Sequence, residues 1–106
     1  MRTYSRHSVE PAEPIPSPIS VADLKAEVAT LAAKIGVQPT EVHVAHLQSK
    51  WASCSMRGRL TLSLDLLSQP HRVRAEVVLH ELLHLRVPNH GRLFRALLRT
   101  YLEALP

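Results

Sequence analysis

The stretch HELLHLRVPNH, residues 80–90, decides how this chain is interpreted, because it holds three histidines and a glutamate. His80 and His84 are four residues apart, so on a helix they lie about 40° apart on one face, one turn above the other. Two imidazoles in that arrangement can bind one Zn²⁺. Glu81 is rotated by about 100° from His80. It would therefore stand beside a bound metal, where it can hold a water and take its proton.

The residues after this helical segment supply a candidate third ligand. Pro88 is predicted to end the helix, because the residue before a proline is pushed out of the α region. Asn89 tolerates the left-handed conformation that a sharp reversal needs, so His90 could swing back towards the metal. H-E-x-x-H alone also occurs by chance on surface helices. A helix stop followed by a third histidine favours a metal site with His80, His84 and His90 as ligands.

The apolar residues around the histidines predict a helix that is buried on most sides. A buried polar group without a partner is unfavourable by a few kcal/mol, so two imidazoles on such a helix are expected to have one. One apolar stripe and a second set close to the histidine face carry this interpretation: Val78, Leu82 and Leu85, and Val73, Val77 and Val87.

The pattern of the remaining chain predicts an α+β domain over residues 20–106. Ser20 is a good N-cap with Asp23 at the capping-box position, and Gly36 is a plausible helix stop. The segments EVHVAHL and RLTLSLDLL alternate apolar and polar residues, with WASCS as a short strand and MRG as a turn between them. The prediction, in chain order, is a helix over 20–35, a three-stranded antiparallel meander, a metal-binding helix over 72–87 and an amphipathic helix over 91–105.

Residues 1–19 are predicted to be a disordered or loosely docked N-terminal arm. They carry four prolines and almost no apolar periodicity. The alternative is a pro-segment that covers the active site.

Composition sets the limits of these predictions. The chain has 106 residues, 45% of them apolar, which suits one small domain rather than a disordered chain. The formal net charge of +4 fits either a solubilising surface or an acidic partner such as nucleic acid. Cys54 is the only cysteine, which excludes an intrachain disulfide and fits a reducing compartment. With no apolar run of membrane-spanning length and no signal peptide pattern, the cytoplasm is the expected location.

Several segments together resemble the YgjP-type zinc metallopeptidase domain, which is related to the SprT/Spartan-like and WLM proteases. That family shows a W-G-S-C-S strand, a glycine turn, an alternating leucine strand, a proline, V-V-x-H-E-L-x-H-L, then N-H and a later phenylalanine. The matching residues here are Trp51, Ser53, Cys54, Ser55, Gly58, Leu60, Leu62, Leu64, Pro70, Val77, Val78, His80, Glu81, Leu82, His84, Leu85, Asn89, His90 and Phe94.

The resemblance implies a small zincin-like metallopeptidase that hydrolyses peptide bonds of a peptide or unfolded protein. It makes His80, His84 and His90 the zinc ligands and Glu81 the general base. The N-terminal helix would pack on the sheet, with the metal helix between the sheet and the last helix. The chain departs from the family pattern without losing a ligand, which leaves substrate preference open; the departures are Ala52, Ser63, Glu76 and Arg95.

Other interpretations stay open. The domain could be a catalytically silent or latent zinc-binding domain, or a nucleic-acid-associated protease, and His₃ sites accept several divalent metals. Cys54 could be a fourth zinc ligand instead of a small buried residue. Tyr101 and Arg92 could stabilise an oxyanion, or could serve only in packing and at the surface. The strand Arg59–Ser63 could be an edge onto which an extended peptide adds.

Overall fold

The helices and strands lie close to the predicted positions. The computed structural model describes residues 2–5 and 12–105. Its elements are β1 (Arg2–Ser5), α1 (Val21–Ile35), β2 (Glu41–Ala45), β3 (Lys50–Cys54), β4 (Arg59–Ser63), a 3₁₀ helix (Leu64–Ser68), α2 (His71–Leu83) and α3 (Arg92–Glu103). The fold is α+β, as predicted, and among the described residues no helix is long and apolar enough to span a membrane.

The sheet differs from the predicted antiparallel meander. Its strand order is β1-β3-β4-β2, and β2 runs parallel to β4 while β3 is antiparallel to it. Alternation in a sequence tells which face of a strand is buried, but it does not tell which strands are neighbours. Because β4 is paired on both sides, the expectation that Arg59–Ser63 is an open edge for a peptide is wrong.

The first helix forms for local reasons that the sequence shows. The Ser20 side chain accepts a hydrogen bond from the Asp23 backbone N–H, and the Asp23 carboxylate accepts one from the Ser20 N–H. These bonds satisfy backbone donors that a helix start leaves without partners. Gly36 ends the helix in the left-handed conformation at φ 81°. The predicted capping box and stop are both present.

Two predicted elements end earlier than expected. The leucine strand stops at Ser63, whose hydroxyl accepts a hydrogen bond from the Asp65 N–H and starts the 3₁₀ helix. Leu64 therefore does not continue the buried face of Leu60 and Leu62, and it is 41% exposed. The metal helix ends as an α-helix at Leu83 and continues as turns, rather than reaching Pro88.

Helix α2 is the centre of the packing. It contacts α1 on one side and α3 on another, and it lies against β3 and β1 of the sheet. It is buried on most sides, as its sequence predicts. The helix therefore lies between the sheet and α3, as expected, although the main contact of α1 is with α2 rather than with the sheet.

Part of the predicted N-terminal arm contacts the rest of the domain. Strand β1 pairs with β3 in the antiparallel direction. Farther along, the backbone N–H groups of Ile15 and Ile19 donate to carbonyl oxygens of Ser68 and Leu67, at 2.8 and 3.0 Å. Four residues such as RTYS are too few to show a period, so the sequence does not predict this strand. The remaining arm residues, Met1 and 6–11, lie outside the described residues.

Candidate metal centre

The elements around the histidines bring all three to one place. His80 lies in the last turns of α2, and His84 follows its last residue in helical conformation. Backbone N–H groups of Leu85 and Arg86 then donate to the carbonyl oxygens three residues before them, which tightens the end of the helix. The chain turns and enters α3 at Arg92, which places His90 between the two helices.

The reversal after α2 does not use the predicted left-handed residue. No non-glycine residue in the described ranges has a positive φ, so Asn89 is not left-handed. The turns at residues 84–86 change the chain direction over several residues, and a single strained position is not needed. The prediction for Asn89 is therefore wrong, although the expected return of His90 to the other histidines is observed.

The Nε2 atoms of the three histidines converge. They are 3.3 Å apart between His80 and His84, 3.2 Å between His80 and His90, and 2.8 Å between His84 and His90. The ring centroids are farther apart, at 4.9, 5.0 and 4.4 Å for the same pairs. The nitrogens are thus closer to one another than the ring centres are, and each ring points its Nε2 inward.

This nitrogen triangle has the size that a tetrahedral metal requires. Zinc binds imidazole nitrogen at about 2.0–2.1 Å, so two nitrogens on one tetrahedral ion are about 3.3–3.4 Å apart. Two of the three observed separations lie within about 0.2 Å of that range, and the third, 2.8 Å, is shorter. The three side chains therefore fit a metal ion, and a tetrahedral ion on three ligands keeps one open position.

Phe94 supports the cluster from inside the protein. Its ring is 1% exposed and lies 5.2, 4.8 and 4.9 Å from the ring centroids of His80, His84 and His90. It is stacked on His84 and meets the other two edge to face. Such contacts limit how the imidazoles rotate, so one residue of α3 holds all three rings. Sequence reasoning identified Phe94 through the family pattern and as an apolar residue of the amphipathic last helix. It did not predict the contacts with the histidines, because these depend on how α3 packs.

The lowered pKa of His80 suits the role of a metal ligand. Burial, followed by the charges of His84 and His90, lowers the pKa of His80 to about 3 from its ordinary 6.5. Its ring is therefore neutral at ordinary pH and retains a nitrogen lone pair. Metal ligation by histidine requires this neutral form.

Glu81, the predicted base, is fully buried on α2 at 0% exposure. It follows His80 directly in the chain, so the backbone holds it next to the cluster. Burying a carboxylate is unfavourable unless positive charge or hydrogen-bond donors compensate for it. A divalent ion on the neighbouring histidines would supply positive charge.

A cleft opens beside the histidines. It has a volume of about 200 Å³ and lies between the turn after β3 and the end of α2. Met56 in that turn is 90% exposed, so a large apolar side chain stands at the entrance. His84, one of the three clustered histidines, therefore lies on a concave surface. The residues that line the cleft are Cys54, Ser55, Met56, His84, Leu85 and Pro88.

The structure also places three other candidates from the sequence, namely Cys54, Tyr101 and Arg92. In the described ranges, the group that could hold a metal consists of His80, His84 and His90 and does not include Cys54. Cys54 is 2% exposed, belongs to the hydrophobic core and donates a weak hydrogen bond to the Ser55 carbonyl oxygen at 3.5 Å. Tyr101 packs against that core, and Arg92 is exposed on the first turn of α3.

The fold and the histidine cluster define a small α+β domain of the metallopeptidase type. The profile of the YgjP-like metallopeptidase domain matches residues 20–105, and the chain belongs to that family. Among solved structures, the chain is similar to the metallopeptidase zymogen of Pyrococcus abyssi abylysin. The identity is 21%, the match covers 72% of this chain and 76% of the other, and the TM-score is 0.62. The comparison with curated proteins finds no match.

Proposed function

We propose that this chain is a zinc-dependent peptidase that cleaves peptides or unfolded proteins. The observation that carries the proposal is the triangle of Nε2 atoms of His80, His84 and His90. These three residues are the proposed metal ligands, and a cleft lined in part by His84 lies next to them. The single buried cysteine also suits the proposed location in the cytoplasm, a reducing compartment.

The proposed mechanism assigns one role to the metal and one to Glu81. Zinc held by His80, His84 and His90 would supply Lewis-acid chemistry for the scissile carbonyl and for a water. The Glu81 carboxylate takes the proton of the attacking water and then gives it to the leaving amine. Phe94 keeps the three imidazoles in the orientation that the metal needs. The open side of the cluster admits the substrate.

The first experiment compares the zinc-loaded chain with Glu81→Gln, using labelled unfolded casein as the substrate. Glutamine has nearly the same shape but accepts no proton, so we expect a loss of about 10²- to 10⁴-fold in cleavage rate at equal zinc content. Glu76→Gln, on the same helix, is the matched control and should cleave at the parent rate. Absence of casein cleavage by all three fully metallated proteins would favour a latent or structural zinc domain instead.

Zinc is proposed as the native metal because it commonly binds three histidine nitrogens and prefers tetrahedral coordination. A His₃ site also accepts cobalt, nickel or copper, and affinity alone does not select zinc among them. Elemental analysis of protein purified without added metal tests this choice. Replacement of zinc by another transition metal in most molecules would contradict it.

A second candidate function, a protease associated with nucleic acid, is favoured by three arginines. Arg92, Arg95 and Arg99 are all exposed on α3, at spacings of three and four residues that put them on one side of the helix. Such a row can contact successive phosphates. We expect DNA affinity that falls steeply with salt and that weakens in an Arg95→Gln and Arg99→Gln variant. Absence of binding at low salt would rule out this candidate.

A further inference from the structure

Strand β1 covers the outer edge of β3. On its inner side β3 pairs with β4, and on its outer side Arg2, Thr3 and Tyr4 lie opposite Cys54, Ser53 and Ala52. Without β1, the backbone N–H and C=O groups on that side of β3 would form an open strand edge. An open edge is a template for any extended chain that can pair with it.

This edge lies next to the proposed active site. Helix α2, which carries two of the histidines, lies against both β3 and β1. Cys54 ends β3, and with Ser55 it forms one wall of the cleft whose other wall includes His84. Because Arg2 pairs with Cys54, one end of β1 is at that wall. A substrate entering the cleft would meet the same edge.

Strand β1 is attached to the domain in a way that suits a removable strand. It has only four residues, and its register with β3 shifts between Tyr4 and Ser5. The family match begins at residue 20 and so does not include it. Residues after it are fixed independently, since the N–H of Ala12 donates to the Gln69 side chain at 2.8 Å and that of Ile15 to the Ser68 carbonyl oxygen. The strand can therefore leave without loss of these anchors.

We propose that β1 is an autoinhibitory strand: Arg2–Ser5 occupies the β3 edge that an extended peptide substrate needs, and activity requires its displacement. The inference rests on the proposed peptidase function, because it concerns access to that site. A strand of the same chain competes at a high local concentration, so a weak four-residue ladder is enough to exclude a dilute substrate. A long unfolded chain could still compete by pairing over more residues.

Arg2→Cys permits a direct test, since it places a cysteine opposite the native Cys54. Paired residues in antiparallel strands have Cα atoms about 4.5–5.5 Å apart, within the range of about 4.4–6.8 Å for disulfides. Oxidation should therefore lock β1 onto β3, and reduction should release it. Thr3→Cys is the matched control, because Thr3 pairs with Ser53 rather than with Cys54, so a cysteine there should form no such bond.

The readouts are casein cleavage by the zinc-loaded protein and casein binding in a Glu81→Gln background. We expect oxidised Arg2→Cys to lose both by roughly tenfold or more relative to its reduced form, while Thr3→Cys is unaffected by oxidation. In antiparallel strands only alternate residues donate their N–H to the partner strand, so a proline at either Thr3 or Tyr4, but not at both, removes a hydrogen bond between β1 and β3. The variant that removes this hydrogen bond should raise casein cleavage and casein binding by roughly tenfold. The other proline variant is the control.

The possible outcomes distinguish the proposal of an autoinhibitory strand from the proposal of peptidase activity. Redox-dependent binding without any cleavage would support the autoinhibitory strand and contradict the peptidase function. A crosslinked protein that binds and cleaves as well as its reduced form would overturn the inference. Failure of the disulfide to form would also overturn it, because β1 would then not occupy the β3 edge in solution, and so would absence of binding in every form.

Discussion

Helix α2 contributes to two polar clusters that differ in where their partners come from. Near its start, Arg74 donates to both carboxylate oxygens of Glu27, at 3.0 and 2.9 Å, and to the Gln69 carbonyl oxygen at 2.6 Å. Near its end, His80 and His84 join His90 with three nitrogens directed at one point. The first cluster is completed by the chain itself, and the second has the shape of a site for an ion.

This difference separates stability from function within one helix. A guanidinium paired with a carboxylate does not need a metal for its interaction, because both members belong to the chain. Three imidazoles held together by Phe94 contribute their full interaction only when an ion is bound. The histidine cluster should thus respond to metal and the arginine cluster should not. The following measurements test this difference.

The largest expected effect is stabilisation by zinc. Metal that binds the folded state and not the unfolded one raises the free energy of unfolding by about 4 kcal/mol when free zinc is a thousandfold above its dissociation constant. Urea unfolding with and without zinc measures this rise, which chelation should reverse. His84→Ala should abolish it. An equal rise in His84→Ala would mean that zinc binds elsewhere.

Local sequence patterns were sufficient to predict the parts of this site that lie close together in the chain. The capping box of α1 joins residues three positions apart, and the histidine spacing fixes two ligands on one helix face. The sequence could not reveal the salt bridge of Arg74, whose partner Glu27 is 47 positions away. It could not reveal the order of the strands for the same reason, since pairing between distant segments leaves no local period.

The next largest effect should come from Arg74→Met. Removing the guanidinium leaves the Glu27 carboxylate without its bidentate partner, and we expect a loss of about 3 kcal/mol in the free energy of unfolding. This is the low end for a buried pair because the Glu27 side chain is 25% exposed. The loss should be the same with and without zinc, as measured by urea unfolding in both conditions.

The double variant Glu27→Met with Arg74→Met is the control for that prediction. Replacing both charged groups by apolar ones of similar size removes the uncompensated carboxylate, so the double variant should lose less than Arg74→Met alone. A loss that depends on zinc would show that the two clusters are coupled through α2 and would weaken the comparison.

A smaller effect is expected at Phe94, which links the histidine cluster to the core. Phe94→Leu removes part of a buried ring, and we expect a loss of about 1–2 kcal/mol in the metal-free protein. Because the ring orients all three imidazoles, zinc affinity should also fall about tenfold. Competition with a zinc chelator measures it. Leu24→Val, a buried change on α1, should reduce stability without altering zinc affinity.

The smallest effect is expected at an exposed polar cluster on β2 and β4. Its contribution to stability can be compared with those of the arginine and histidine clusters. The Glu41 carboxylate lies 3.1 Å from His43 Nε2 and 3.5 Å from Arg59 Nε, and the Glu41 and Arg59 side chains are 57% and 59% exposed. In the folded protein, water solvates these groups almost as well as it does in the unfolded chain. Glu41→Gln should therefore change the free energy of unfolding by less than about 0.5 kcal/mol, with or without zinc. The measurement is the urea midpoint at low and high salt. A loss as large as that of Arg74→Met would show that burial does not set the difference, and the contrast along α2 would then need another cause.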